Sequence, residues 1–213
     1  MDKIFAIGDI HGCLAKLERL VAIIDFDEGR DILLFIGDYI DRGPDSRGVV
    51  DYVLDLREKV RNVICLRGNH EQMLLNYLCH GRDRDLFLFN GGRATLSSYG
   101  FRDATDRKKI VLPDDHMEFF QSLLPWYETD DYIFVHAGLR PGIPLDKQSP
   151  EDLMWIRYEF IDSSHDFGRV VVFGHTHMAE PLMEPNKIGI DTGAVYGGSL
   201  TCIALPEKEI YQV

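Results

Sequence analysis

The chain is short of positive charge: 23 lysines and arginines face 35 aspartates and glutamates, a formal net charge of −12 over 213 residues. A protein that wraps nucleic acid draws its affinity from basic side chains that displace counterions from phosphates, so no nucleic-acid partner is expected. Cysteine is scarce too. Cys13, Cys65, Cys79 and Cys202 form no C-x-x-C pair and fall in segments that read as core or helix, so small, reduced core thiols in a cytosolic protein are expected. No apolar run approaches the length of a membrane span, and Met1-Asp2-Lys3 leads into no long h-region with a cleavage site. The expectation is a cytoplasmic monomer with no membrane partner. Repeats, low-complexity tracts and linkers are also missing. What is left is 45% hydrophobic and 27% charged, close to the average for soluble globular chains, and the length suits a single domain over residues 1–213.

Short β-branched or aromatic runs at residues 4–7, 32–36, 63–66, 132–135 and 170–173 are each halted by glycine and polar residues, and read as buried strands. Between the early ones, Leu14, Leu17, Val21 and Ile24, and then Val49, Tyr52, Val53 and Leu56, repeat at helical spacing. Strand, helix, strand is the grammar of a parallel sheet. Further helices are predicted over 71–78 and 114–124. The end of the chain differs: 188–190, 200–205 and 209–213 are strand-like with short turns between them, which predicts hairpin-connected strands. The mixture implies two sheets, or one mixed sheet, packed between helices. Residues 102–109, 140–150 and 87–101 read as loops.

Each predicted strand ends in residues that can ligate a metal, at the edge where open α/β sheets bind ligands. Gly8-Asp9-Ile10-His11-Gly12 follows the first, Gly37-Asp38-Tyr39-Ile40-Asp41-Arg42-Gly43 the second and Gly68-Asn69-His70-Glu71 the third; later strands end in His136-Ala137-Gly138 and Gly174-His175-Thr176-His177. If the strands lie side by side, Asp9 and His11 can grip one ion, Asn69, His136 and His175 a second, and Asp38 both. Carboxylate, imidazole and amide oxygen together suit manganese, iron or zinc better than calcium. Two such ions would polarise a phosphoryl group and make a bridging hydroxide available for in-line attack, with no covalent nucleophile. His70 is placed to protonate the leaving group, with Asp41 orienting it and holding it protonated. Arg42 and Arg157 would bind phosphate oxygens, which with the two ions overcomes the repulsion of an anionic substrate by an acidic protein.

These residues, in this order, resemble the phosphoprotein phosphatase family of metallophosphoesterases, whose signatures are G-D-x-H-G, G-D-x-x-D-R-G and G-N-H-E followed by single histidines. All three are intact, and the resemblance runs from Gly8 to Val195, strongest with compact bacterial and bacteriophage members. It implies an α/β (α+β) calcineurin-like fold, two mixed β-sheets in a sandwich flanked by α-helices. It also implies the metal assignments above, most simply as two manganese ions, and His70 paired with Asp41 as proton donor. Asn90-Gly91-Gly92 resembles a family loop near the active site, although such a turn needs no function to explain it. His177 is open between a further ligand, as in wider metallophosphoesterases with G-H-x-H, and an exposed loop histidine.

Taken singly, G-D or G-N-H is a common turn; together, three glycine-framed clusters each behind a strand-like run are not. His80, His116 and His165 lack such a context and read as exposed or capping residues. Glu71 reads as support for a helix start, with a secondary hydrogen-bonding role open to it. The leading expectation is a serine/threonine protein phosphatase acting on phosphorylated protein or peptide. The alternative is a hydrolase of dinucleoside polyphosphates such as diadenosine tetraphosphate, and a phosphate-binding module without turnover ranks below both.

Overall fold

The computed structural model describes residues 3–101 and 106–213. Its strands are β1 (Ile4–Ile7), β2 (Ile32–Phe35), β3 (Asn62–Cys65), β4 (Trp126–Glu128), β5 (Tyr132–Val135), β6 (Val170–Phe173), β7 (Leu182–Met183), β8 (Lys187–Gly189), β9 (Thr201–Leu205) and β10 (Glu209–Gln212). The α-helices are α1 (Leu14–Ile23), α2 (Ser46–Lys59), α3 (Asn69–His80), α4 (Arg84–Phe87), α5 (Arg93–Ser98), α6 (Asp114–Ser122), α7 (Pro150–Trp155) and α8 (Tyr158–Ile161). One sheet runs β10-β9-β1-β2-β3 and the other β4-β5-β6-β8-β7. Both are mixed: β1, β2 and β3 are parallel, as are β5, β6 and β8, while β9, β10, β4 and β7 run antiparallel to their neighbours.

Side-chain alternation explains the layering. In β1 and β2, Ile4, Ala6 and Leu34 face the second sheet, where they meet Tyr132, Phe134, Val172 and Ile188. Their neighbours Phe5, Ile7, Leu33 and Phe35 point the other way, into a core shared with α1, α2, α3 and α6. On the far side, Ile133, Val135, Val171 and Phe173 pack against Leu153 of α7, Phe160 of α8 and Ile156 between them. Strands buried on both faces read as continuous apolar runs, which is why the central ones were legible. The order is helix, sheet, sheet, helix, as the resemblance implied.

Several expectations need correction. Only β9 and β10 form the hairpin predicted for the chain end; β8 belongs to the other sheet, paired parallel with β6 and antiparallel with the two-residue β7. The register of β8 is set by a distant strand, which no local pattern reveals. The predicted loop over 87–101 is largely helical: α4, a π-helical turn (Leu88–Gly92) and α5 follow one another, broken at Gly91, whose φ is 106°. Packing overrides the glycine pair there, since Phe87 is fully buried and stacks on Tyr77 at 5.7 Å. The loop expected over 102–109 lies partly outside the described residues; Arg107–Lys109 forms a 3-10 turn, as does Leu145–Lys147 within 140–150. His116 is not exposed: it is buried, with Nδ1 at 2.7 Å from the Tyr99 hydroxyl and Nε2 at 3.0 Å from Asp51. His80 and His165 are exposed. Cys65 and Cys202 are buried and Cys13 half-buried, whereas Cys79 is exposed at the end of α3; all four are free. Among the described residues no helix is long and apolar enough to cross a membrane.

Candidate metal centre and active site

Because β1, β2, β3 and β5, β6, β8 are parallel sets, the carboxyl ends of both sheets open on one edge of the sandwich. Asp9 and His11 leave β1 there, Asp38, Asp41 and Arg42 leave β2, and Asn69 and His70 begin α3 after β3. His136 follows β5, His175 follows β6 and Asp191 follows β8. The loops interlock: the Asp38 carbonyl accepts from the amides of Ile10 and His11 at 3.1 and 2.8 Å, and the His136 carbonyl accepts from Gly174 at 2.8 Å. The sheets are tied across the site by the His175 amide, which donates to the Asp9 carboxylate at 3.1 and 3.2 Å.

Glu71 does more than start a helix. Its buried carboxylate accepts from the amides of Asp38 (3.0 Å), Tyr39 (2.9 Å), Ile40 (3.4 Å) and Gly68 (3.0 Å), fixing the loop that aims Asp38. Gly68 is required beside it, since a Cβ there would run into Asp38 Oδ1. Local strain gathers at this edge: of seven non-glycine residues with positive φ among those described, five are His11, Asp38, Asp41, Arg42 and His175. Conformations of that kind cost about 1–3 kcal/mol each and persist where surrounding structure overdetermines them.

Two groups of donor atoms form around one carboxylate. His11, Asp38 and His70 offer atoms within 4.8 Å of one another, and so do Asp38, His136 and His175. Asp38 Oδ2 lies 3.4 Å from His11 Nε2, and Oδ1 lies 3.5 Å from His136 Nε2. Asn69 Oδ1 is 3.0 Å from both His136 Nε2 and His175 Nδ1. The tautomers sharpen the point. His11 Nδ1 is 2.8 Å from the Ile40 carbonyl and His136 Nδ1 is 3.1 Å from that of Ile36. A carbonyl only accepts, so each Nδ1 carries the proton, and a neutral ring then turns the Nε2 lone pair towards Asp38. Burial keeps the rings neutral, pushing His11 and His136 down to about 3 and His175 to about 2. Lone pairs of imidazole, amide and carboxylate thus converge with no proton between them at His136, and a cation is what such a set lacks. Burial also pushes Asp9 and Asp38 well above the usual carboxylate range, reinforced for Asp9 by Asp191 and for Asp38 by Asp9 and Glu71. Divalent ions would offset that repulsion. The residues present therefore fit a metal centre.

His70 stands beside it. Its Nδ1 contacts Asp41 Oδ2 at 2.6 Å, while Nε2 is buried 3.8 Å from Asp38 Oδ2 and has no hydrogen-bond partner among the described residues. Asp41 was expected to hold His70 protonated. Burial works against it, pushing His70 well down and Asp41 well up, while the short Nδ1–Oδ2 contact keeps the ring oriented on Asp41. Asp41 is itself held by the Thr95 hydroxyl, which donates at 2.5 Å. Arg42 donates to His11 Nε2, lies 5.6 Å over the ring of Tyr196, and its amide donates to Gly91 at 3.3 Å, which places Asn90-Gly91-Gly92 at the site. Arg157 is exposed and reaches the His175 carbonyl at 3.2 Å and the Thr176 hydroxyl at 3.4 Å.

The structure brings all ten sequence-predicted residues to this edge. Asp9 lies in neither donor group, His70 standing with His11 and Asp38 instead, although the Asp9 carboxylate accepts from the His175 amide; His177 is also outside both, exposed with its ring 5.7 Å from that of Tyr196. Sequence reasoning missed Asp191, Thr95 and Trp155, whose ring stands edge-on to His175 at 5.9 Å. Only Asp191 carried a signal, as an aspartate just behind a strand and before a glycine.

Comparison with known proteins agrees with this geometry. A bis(5'-nucleosyl)-tetraphosphatase PrpE [asymmetrical] of Anoxybacillus flavithermus is 27% identical, covering 97% of this chain and 92% of its own length. Serine/threonine-protein phosphatase 1 of Salmonella typhimurium is 31% identical, covering 93% and 89%. A crystal structure provisionally described as that of a diadenosine tetraphosphatase superposes with a TM-score of 0.77 at 27% identity, covering 100% of this chain and 93% of the other. Residues 2–179 match the calcineurin-like phosphoesterases, and with both sheets, the signatures and the donor cluster in place the chain belongs to that family of phosphoesterase hydrolases.

Proposed function

We propose that this protein is a dimetal hydrolase of dinucleoside polyphosphates, which reverses the order expected from the signatures. The observation that carries the substrate class is the near end-to-end similarity to proteins named as nucleosyl tetraphosphatases. Asp9 and His11 would hold one divalent ion, Asn69, His136 and His175 the other, and Asp38 both; manganese suits these donors, as do iron and zinc. Ions bound there supply Lewis acidity, polarising phosphoryl oxygens and lowering the pKa of water. Arg42 and Arg157 bind the remaining phosphoryl oxygens and hold phosphorus in line with the attacking and leaving atoms. His70 would give an Nε2 proton to the leaving oxygen while Nδ1 takes the proton of the raised Asp41 carboxyl across their 2.6 Å contact, so the ring stays neutral and Asp41 is left ionised.

A second reading, the phosphoserine/phosphothreonine protein phosphatase, is favoured by the buried His70–Asp41 pair. An alkoxide needs a proton to leave, whereas a polyphosphate leaves as a much weaker base. The similarity to the Salmonella phosphatase points the same way. The test is a comparison of kcat/KM on diadenosine tetraphosphate and on a phosphoserine peptide, with manganese, zinc and iron in parallel and Asp38→Asn as background. The proposal expects a ratio favouring the dinucleotide by at least about tenfold. A ratio favouring the peptide installs the second reading, and no turnover of either above background removes both.

A further inference from the structure

α3 leaves Asn69 at the donor cluster and carries Met73 and Asn76 on into a cleft of about 690 Å³. Across it stands α7 with Met154 and Trp155, and Leu86 of α4 closes the far side. The cleft is continuous with the reaction site, because Asn69 lines it and Trp155, also in its wall, touches His175. Its chemistry differs sharply from that of the site. No lysine or arginine is among its described lining residues, whereas Asp83 and Glu151 are, so a phosphate chain is repelled from it. The walls are apolar, with Met73 buried at the base, Met154 and Trp155 half-buried and Leu86 exposed at the rim, and the carboxylates are exposed at the margin.

We propose that this cleft is the nucleoside subsite. A purine lies between the methionines and Trp155, its amino group or the ribose hydroxyls donate to Asp83 or Glu151, and the polyphosphate stays with Arg42, Arg157 and the donor cluster. Thioether and indole surfaces suit a flat ring. A lysine or arginine of a peptide substrate would use the carboxylates but would leave four apolar side chains unmatched, which favours the base. The inference rests on the dinucleoside reading above and names where that substrate's specificity resides.

The test uses adenosine, which has no phosphate to anchor it at the cluster, titrated into manganese-loaded protein and followed by ligand-observed NMR. Wild type should bind it, and Met154→Arg and Leu86→Glu, neither of which touches the reacting groups, should each weaken binding at least about tenfold. Both variants should raise KM for diadenosine tetraphosphate by a similar factor and hydrolyse p-nitrophenyl phosphate as wild type does, which reports an intact fold. Absence of adenosine binding by wild type, binding unchanged in the variants that keep p-nitrophenyl phosphate hydrolysis, or displacement of adenosine by a lysine-rich peptide overturns the assignment. Wild type that binds adenosine here yet fails to cleave the dinucleotide would sink the substrate reading and leave the subsite standing.

Discussion

A neutral imidazole has one proton to place, and at this site backbone carbonyls decide where it goes. Ile40 and Ile36 accept the Nδ1 protons of His11 and His136, which turns both Nε2 lone pairs inward: that of His136 faces Asp38 and Asn69, and that of His11 accepts from Arg42 beside Asp38. His70 is turned the same way, but its Nδ1 meets the Asp41 carboxyl instead of a backbone carbonyl, and its Nε2 faces inward with no hydrogen-bond partner among the described residues. That contrast separates ligands from proton donor although all three rings crowd one carboxylate. His70→Gln is predicted to lower kcat on a phosphoserine peptide by about 10²–10⁴ while manganese content is unchanged. On p-nitrophenyl phosphate, whose leaving group departs without a proton, the loss should be far smaller; equal losses on both would remove His70 as the acid. The identities of these residues were legible because metal chemistry admits few side chains, and glycines frame them for steric reasons visible in sequence. Asp191 and Thr95 were not legible, because their roles depend on a neighbour brought in by the fold: Asp9 for one, Asp41 for the other.

At the scale of elements, the loop after β2 is held by the first turn of α3. Glu71 gathers four amides, three of them from that loop, and burial raises its carboxyl above the ordinary value while those amides draw it back. Glu71→Gln would keep the shape and turn an NH₂ donor towards N–H donors. Leaving buried groups unsatisfied costs about 1–3 kcal/mol, so the variant should lose that much stability in urea denaturation and bind manganese more weakly. Wild-type stability and affinity together would show the loop to be fixed by other means. In sequence Glu71 announced a helix start and a secondary hydrogen-bonding role without saying to what, since three of its partners lie 31 to 33 residues upstream. The same distance problem hid the partners of β8 and the very short β4 and β7 altogether, whereas β1, β5 and β6 kept the bounds their apolar runs predicted.

Across the whole molecule, two parallel strand sets from different sheets deliver acids and imidazoles to one edge of an acidic protein with a net charge of −12. Without cations that edge holds protons: Asp9 and Asp38 are raised by burial and by neighbouring carboxylates, while His11, His136 and His175 are already neutral. Manganese binding should therefore release protons from carboxyl groups, more at mildly acid pH and less as pH rises past their raised values. Calorimetry in buffers of different ionisation enthalpy checks this; uptake of protons, or release that grows with pH, would contradict it.

Everything in the mechanism depends on Asp38 being shared. The direct measurement is the stoichiometry of manganese binding by isothermal titration in wild type and in Asp38→Asn. Two ions bound by wild type, with both affinities lowered at least about tenfold in the variant, is the predicted result. A single ion in wild type, or a variant that loses one ion and holds the other unchanged, would show that the carboxylate does not join two sites.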